Sequence, residues 1–381
     1  MSGIVRKLMI FICRLLPLSN IILFESSPDF SDNARALYEY FISKEVNQKY
    51  KMIWLYNNPD LSSFIPNSNV KAIYRNSLSL KERLLLIYYH HTAKYIFDSN
   101  VYVHMERKGQ IRIHLGHGMP IKAPYEYCRG AGNMTNILVT SHFFDDLYQK
   151  LFLVNKDQIL NFGMPRNDDL LKDYQKIKKE LFHNKKVIFW MPTYRQHKNG
   201  NKNTTMDQQL TYGLPCIKSK DDLLKLVDVC LEEDVVILFR NHPAQNVSFI
   251  SEINNDVMYN INDVFLKKHH LKLYEVLSFS DALITDYSSV YYDYLLTQKP
   301  IALTIEDLKA YSETFELALD YQTNIIGNYI YDIEELMTFI QDVSRDRNKV
   351  DLLETKEKYH DDNQQSSCMR IYEYLKEKYQ F

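Results

Sequence analysis

The sequence predicts an α/β protein made of two doubly wound, Rossmann-like halves. Three observations carry that expectation. Short apolar runs rich in strand formers alternate with helical patterns from about residue 20 to residue 300, and such alternation means parallel strands joined by right-handed crossovers. The chain has 381 residues, too many for one ordinary core and suited to two. Several of the runs end in polar turns that carry reactive side chains, which is how open α/β sheets build their ligand-binding edges.

Residues 3–16, GIVRKLMIFICRLL, are apolar with Arg6, Lys7 and Arg14 interspersed, and Pro17 stops them. The run is too short to span a bilayer and lacks a small-residue cleavage site. Residues 1–19 therefore read either as an interfacial helix, apolar side chains in lipid and cations against anionic headgroups, or as a first helix packed on the domain's own core. Strand candidates follow at Asn20–Phe24, Met52–Tyr56, Lys71–Tyr74, Tyr95–Asp98, Ile111–Leu115 and Asn136–Thr140, with a helix from Asn33 to Ser43 capped by Ser31 or Asp32. Ile159–Phe162 and Gly163–Asn167 lead out of this half, which spans 20–170. The charged segment Asp168–Lys186 contains a helix and reads as the hinge.

A second series, spanning 185–350, holds Lys186–Met191, a helix around Asp221–Glu232, Val235–Phe239, a helix at Leu273–Leu277 and the Ala282–Thr285 strand. The polar insertion between Gln196 and Lys220 is long enough to be a mobile loop over a site. A final helix, roughly Leu352 to Lys378 within 351–381, is remote in sequence from the second set of strands and can cross back onto the first half. There is no short-period repeat and no low-complexity tract.

Hydrophobic and charged fractions of 45% and 25% are those of a soluble globular protein. The formal net charge of −2 gives no general argument for a nucleic-acid partner. Five cysteines, odd in number and without CxxC spacing, read as reduced thiols in cytosol. The 29 tyrosines read as a compositional bias.

The chain is organised around Asp281–Pro300, DALITDYSSVYYDYLLTQKP. Ala282–Thr285 is a buried strand, Asp286-Tyr-Ser-Ser289 a polar turn, and Val290–Leu296 a helix, so the turn lies where a parallel sheet binds an anion. Capping uses the same atoms, and the motif alone divides evenly between the two. Three more loops follow predicted strands. Gly116-His117-Gly118 exposes an imidazole between two glycines, which taken alone reads as a surface residue. Pro192-Thr193-Tyr194-Arg195 and Arg240-Asn241-His242-Pro243 end strands of the second half and share a sheet with the Asp286 turn. Arg195, Arg240, His242 and the Ser288/Ser289 helix start together make a pocket for a diphosphate. No DxD pair, Walker loop, GxGxxG, HExxH or Cys/His metal set is present, and His114 with His117 lacks a third ligand. Charge neutralisation then falls to arginines and helix amides, with no tightly bound metal or cofactor.

Taken in order, His117-Gly-Met-Pro-Ile-Lys122, Gly163-Met-Pro-Arg-Asn-Asp168, Pro192-Thr-Tyr-Arg195, Arg240-Asn-His-Pro243 and Leu283-Ile-Thr-Asp-Tyr-Ser-Ser289 resemble the CDP-glycerol:poly(glycerophosphate) glycerophosphotransferases of teichoic acid and capsule synthesis. Leu23-Phe-Glu-Ser26, Ser31-Asp-Asn33 and Ala36-Leu-Tyr38 are similar to that family's amino-terminal signature, and the match runs from about Leu23 to Pro300. The resemblance implies a GT-B-like fold with a cleft between an acceptor-binding domain at 20–170 and a CDP-donor domain at 185–350, the helix of 351–381 packing back on the first. It implies that His117 and His242 are the two histidines on which activity depends. Arg195, Arg240, Ser288 and Ser289, with Thr193 and Asp286 of the same loops, would hold the donor diphosphate. Ser31, Asp32, Asn33, Lys122 and Arg166 would lie on the acceptor side.

The implied activity is transfer of an alditol phosphate from CDP-glycerol or CDP-ribitol to a hydroxyl of a lipid-linked saccharide or polymer, releasing CMP. The implied place is the cytoplasm, peripheral on the inner face of the cell membrane, with no nucleic acid involved. Two departures bear on the substrate: Gly116 and Met119 stand where the family usually has Trp and Thr. The chain also lacks the long amino-terminal extension of the polymerising members, which points to a single-addition enzyme or a compact capsule transferase. A GT-B glycosyltransferase using a nucleotide sugar is the neighbouring alternative. A non-catalytic, membrane-docked nucleotide-binding protein is the alternative of another class, and a sensor has no need of a proton acceptor.

Overall fold

The structure, a computed structural model, describes residues 3–59, 70–123, 125–193, 214–240, 256–348, 350–361 and 365–381. The chain divides into two compact units. The first comprises Met1–His117, Pro124–Asp168 and His360–Phe381; the second comprises Gly118–Ala123 and Asp169–Tyr359.

The first unit is built on seven strands, β1 (Ser19–Ser26), β2 (Lys51–Tyr56), β3 (Val70–Tyr74), β4 (Ala93–Ser99), β5 (Ile111–His114), β6 (Asn136–Leu138) and β7 (Ile159–Leu160). They pair in the order β3-β2-β1-β4-β5-β6-β7, and every pairing is parallel. β1, β2, β4 and β5 are buried almost throughout, which is why β1 and β2 read as apolar runs and not as alternating ones. The strand order reverses between β1 and β4, and their register sets Glu25 beside Asp98 and Asp98 beside His114. The crossover helix α2 (Asp32–Ser43) follows β1. Beneath the sheet edge, the buried Asp98 accepts from the His114 ring at 2.9 Å and from Arg112 Nε at 3.0 Å. His114 is therefore part of an internal ion cluster, and no set of three metal-ligating side chains occurs among the described residues.

α1 (Gly3–Leu15) is packed along one face. Cys13 on one face is fully buried, and the Arg107 guanidinium donates to the carbonyls of Cys13 (3.0 Å), Leu16 (2.7 Å) and His91 (3.1 Å). A cation thus caps the carboxyl ends of α1 and of the helix Leu80–Thr92 together. Met9 and Ile10 are half-buried and the rest of α1 is exposed, including Ile4, Leu8, Phe11 and Leu15. Among the described residues no helix is long and apolar enough to cross a membrane.

The expected final helix is two helices. Leu353–Tyr359 belongs to the second unit and Ser367–Tyr379 to the first. The later one starts where it does because Ser366 caps it, its hydroxyl accepting from Met369 N–H at 3.1 Å. The Asp168 carboxylate also takes the free amides of Ser367 (2.7 Å) and Cys368 (3.1 Å). Gly163 makes the approach possible: its φ is +79°, and a Cβ there would lie 2.6 Å from Ser367 Oγ. Beyond the helix, the Phe381 ring stacks on Tyr50 at 4.5 Å.

The second unit repeats the plan with β8 (Lys186–Trp190), β9 (Val235–Phe239), β10 (Met258–Asn260), β11 (Ala282–Thr285), β12 (Ile301–Thr304) and β13 (Asn328–Ile330), ordered β10-β9-β8-β11-β12-β13 and parallel throughout. β10, β12 and β13 are not among the strands expected from sequence. At three or four residues each, they are too short to show a period. The helices at Lys220–Glu232 and Leu273–Phe279 fall where expected. Much of the tyrosine excess is core here: Tyr287, Tyr291, Tyr292, Tyr294, Tyr311, Tyr321 and Tyr359 are all buried, with Tyr287 stacked on Tyr311 at 3.6 Å.

Candidate functional site

In the first unit, the turns after β1 and β5 meet a third turn at Pro165–Asp169. Asp32 opens α2 in a left-handed conformation, φ +60°, which Asp tolerates better than most residues. Its carboxylate is buried between two cations. One oxygen contacts His117 Nδ1, and the other accepts from Arg166 Nη1 at 2.6 Å and from the Asn33 amide at 2.8 Å. Arg166 Nη2 donates to the His117 carbonyl at 3.0 Å. Asn33, wholly buried, joins all three turns: its Nδ2 donates to the Leu115 and Gly116 carbonyls at 3.0 and 3.3 Å, and its Oδ1 accepts from the Arg166 backbone at 3.1 Å.

The His117 side chain is 54% exposed, against 5% for Asp32 and 8% for Arg166. The arrangement therefore presents an imidazole to solvent from a buried ionic base. Burial by itself would raise the Asp32 carboxyl, but the Arg166 guanidinium and the His117 ring outweigh it and hold it well below the usual carboxylate range. Because the folded value is depressed, the stabilisation is complete above the ordinary carboxylate value and is lost as pH falls toward the folded one. Unfolding free energy should accordingly decline as pH drops below about 4, and part of that slope should vanish in Asp32→Asn; urea titrations at stepped pH would measure it, and parallel slopes would contradict it.

Of the expected acceptor-side residues, Asp32, Asn33 and Arg166 are brought onto His117. Ser31 is the N-cap residue of α2, but its hydroxyl donates to the Pro28 carbonyl at 2.5 Å and makes no capping bond. Lys122 differs from expectation: it belongs to the second unit, where its backbone pairs with Leu317 and its ammonium lies 5.3 Å from the Phe315 ring centroid. Gly116 has φ +68°, a conformation that strains any side chain. Met119 is fully buried, so the side chain in place of the family's hydroxyl serves packing.

In the second unit, β9, β8 and β11 are neighbours, so their carboxyl ends lie side by side, and the strand order reverses between β8 and β11. At that switch point, where open sheets bind ligands, the buried Asp286 carboxylate accepts from Thr193 N at 2.9 Å and from Thr193 Oγ1 at 2.5 Å. It also accepts from Tyr287 N at 2.6 Å, while the Asp286 carbonyl accepts from the Tyr321 hydroxyl at 2.7 Å. Asp286 thus ties two turns together. Ser289 is the N-cap residue of the helix Val290–Tyr294 without a side-chain cap, and Ser288 Oγ lies 3.5 Å from Val290 N, at the outer limit of a bond. Neither hydroxyl is used up as a cap. Arg240 directly follows β9 and donates to the Ile261 carbonyl (2.8 Å) and Asp263 (2.9 Å). Arg195 and His242 lie outside the described residues, as does most of the 196–220 insertion.

Asn33's joining of three turns, and Asp168's anchoring of the last helix, carry no sequence signal beyond their place in motifs, since their partners are 82 to 200 positions away. Lys299 of the closing Lys-Pro-Ile is similar. Its ammonium donates to the Ser278 and Ser280 carbonyls, both at 2.6 Å, and so holds the end of the preceding helix.

Two doubly wound parallel sheets, each with polar turns at its carboxyl edge, define the GT-B-like class. Within that class the chain belongs to the CDP-glycerol:poly(glycerophosphate) glycerophosphotransferase family, which it matches over residues 8–377. It is 27% identical over 325 residues to a teichoic acid poly(glycerol phosphate) polymerase of Staphylococcus epidermidis, covering 77% of this chain and 41% of that protein. It is 26% identical over 369 residues to a teichoic acid poly(ribitol-phosphate) polymerase of Bacillus spizizenii, covering 89% and 54%. The chain thus spans about half the length of these relatives. Its fold is similar to that of the wall teichoic acid polymerase TagF, with a TM-score of 0.73 at 20% identity over 98% of this chain and 92% of that one.

Proposed function

We propose that the protein transfers an alditol phosphate from a CDP-alditol to a hydroxyl of a saccharide or polymer acceptor and releases CMP. The observation that carries this reading is the exposed His117 imidazole, seated on the buried Asp32–Arg166 pair at a sheet edge. The acceptor oxygen forms a bond to the β-phosphorus as the bond from that phosphorus to the CMP oxygen breaks. The hydroxyl proton passes to the His117 ring as general base. CMP phosphate is a weak base, so its departure needs charge stabilisation more than a proton. Arg240, Arg195 and His242 supply that charge, with Ser288 and Ser289 as hydroxyl donors. Thr193 and Asp286 keep the turn in shape. Positioning and preorganised charge of this kind are most of what phosphoryl transfer requires.

Support for the donor comes from the family and from relatives named for both glycerol phosphate and ribitol phosphate; a TagF variant, moreover, was solved after a soak with CDPG. Incubation with CDP-glycerol, CDP-ribitol and UDP-sugars, reading the nucleotide formed, tests the assignment. CMP from a CDP-alditol is expected; UDP from a nucleotide sugar, or no nucleotide at all, refutes it.

Arg240 makes a narrower test. Its partner Asp263 is 85% exposed, and surface pairs of that sort are weak, so the guanidinium can exchange Asp263 for a diphosphate. Arg240→Ala should weaken CDP-alditol binding by about tenfold to a hundredfold, the value of one charge-assisted bond. Wild-type affinity by calorimetry would remove Arg240 from the donor site.

The acceptor is lipid-linked, and the protein works at the cytoplasmic membrane surface through α1. Ile4, Leu8, Phe11 and Leu15 recur at helical spacing and form one exposed stripe, with Lys7 and Arg14 one heptad apart on its flank and no acidic residue in the helix.

A further inference from the structure

The chemistry of a base depends on which ring nitrogen carries the proton, and the surroundings of His117 decide it. We infer that Asp32, clamped by Arg166, is a positioning residue that fixes His117 as the Nδ1–H tautomer, leaving Nε2 as the atom that takes the acceptor's proton. The inference rests on the reading of His117 as general base and adds the group that sets its direction.

Two charged side chains among the described residues face the ring, and they make opposite demands. The Asp32 carboxylate is in contact with Nδ1 and can only accept, so it requires a proton there. Arg166 Nη1 lies 3.5 Å from the same nitrogen and can only donate, so it favours a bare lone pair. Distance settles the contest, since 3.5 Å is at the edge of a hydrogen bond. Arg166 spends its short bonds elsewhere, on Asp32 Oδ1 at 2.6 Å and on the His117 carbonyl at 3.0 Å. Both bonds serve the same end. The first stops the carboxylate from rotating away, and the second fixes the backbone that carries the ring. The Asn33 amide, 2.8 Å from Oδ1, adds a second clamp. Among the described residues nothing engages Nε2, and the ring is half exposed. When Nε2 takes a proton, the imidazolium forms against a carboxylate already in place, with no reorganisation.

The clamp makes Asp32→Asn a directional probe. An amide can offer either its oxygen or its NH2 to Nδ1. Arg166 and the Asn33 amide are both donors at the Oδ1 position, so the introduced amide must keep its oxygen there and turn its NH2 toward the ring. Nδ1 then has to accept, and the ring proton moves to Nε2. Ring nitrogen shifts of the full-length protein, labelled with 15N-histidine and recorded at about pH 9 where histidines are neutral, read this without any turnover. The His117 signals are assigned by their loss in His117→Ala. The wild type should show Nδ1–H, and Asp32→Asn should show Nε2–H. Turnover in the variant should fall by about two to four orders of magnitude, as in His117→Ala, since an Nε2–H ring cannot take the acceptor's proton, with CDP-glycerol affinity within twofold of wild type.

A wild-type ring protonated on Nε2 overturns the proposal by itself, whether or not the variant folds. So does a variant that switches tautomer and keeps full turnover while His117→Ala is inactive. If His117→Ala is itself fully active, the general-base reading fails, and the tautomer measurement still tells whether Asp32 sets the proton.

Discussion

His117→Ala should lower turnover by about two to four orders of magnitude, the usual contribution of a positioned general base, while CDP-glycerol still binds with nearly wild-type affinity. The ring is the exposed member of its cluster, and Asp32 and Arg166 are the buried ones, so truncation removes a reactive group and leaves an ion pair intact. The fold should therefore survive. Donor affinity should survive as well, because the proposed donor groups Arg240, Ser288 and Ser289 lie on the second unit and His117 on the first. Steady-state rates with a defined acceptor, set beside calorimetry with CDP-glycerol, separate the two effects. Unchanged turnover would end the assignment of His117. Lost donor affinity together with lost turnover would make it a binding residue.

Replacing Leu8 and Phe11 together by glutamate should release the protein from phosphatidylglycerol-rich vesicles. The two side chains are 57% and 61% exposed on the outer stripe of α1. Full burial of one such side chain is worth roughly 1.5–3 kcal/mol, so loss of both should weaken vesicle binding by about a hundredfold to ten-thousandfold. The new carboxylates would also be repelled by anionic lipid. Flotation of wild type and variant measures this, with a short soluble acceptor as control. Turnover on that acceptor should persist, since α1 is held to its unit through Cys13 and Arg107, which the substitutions leave untouched. A variant that floats with the vesicles as wild type does would show that α1 does not carry membrane binding.

How much of this could be read in advance differs from element to element. Long buried strands such as β2 and β9 are legible because five or six consecutive apolar residues are needed where both faces of a parallel sheet are covered. β10 and β13 are not, since three residues are too few to show a period. The Asp286 turn is legible as a polar turn after a buried strand, but the partner of its carboxylate within the protein is not. A carboxylate beside two serines suggests ligand contacts, and only the adjacency of β8 and β11 shows that Thr193 claims it. The last helix was visible as a periodic stretch, and Ser366 marks its second start locally, but the anchoring of that start by Asp168, about 200 positions earlier, was not.

By itself, the order of residues determined the alternation of strand and helix, the two parallel sheets, and the motifs that place the chain in its family. These follow from local periodicity and from turn chemistry confined to a few neighbouring positions. Only the tertiary structure decided that Asp32, His117 and Arg166 form one cluster, that Lys122 sits on the second unit, and that α1 is docked along one face and open along another. Each of those depends on which distant segments share a sheet edge or a helix face, and the energy of such contacts is set by burial and by charge in space, which no local pattern records.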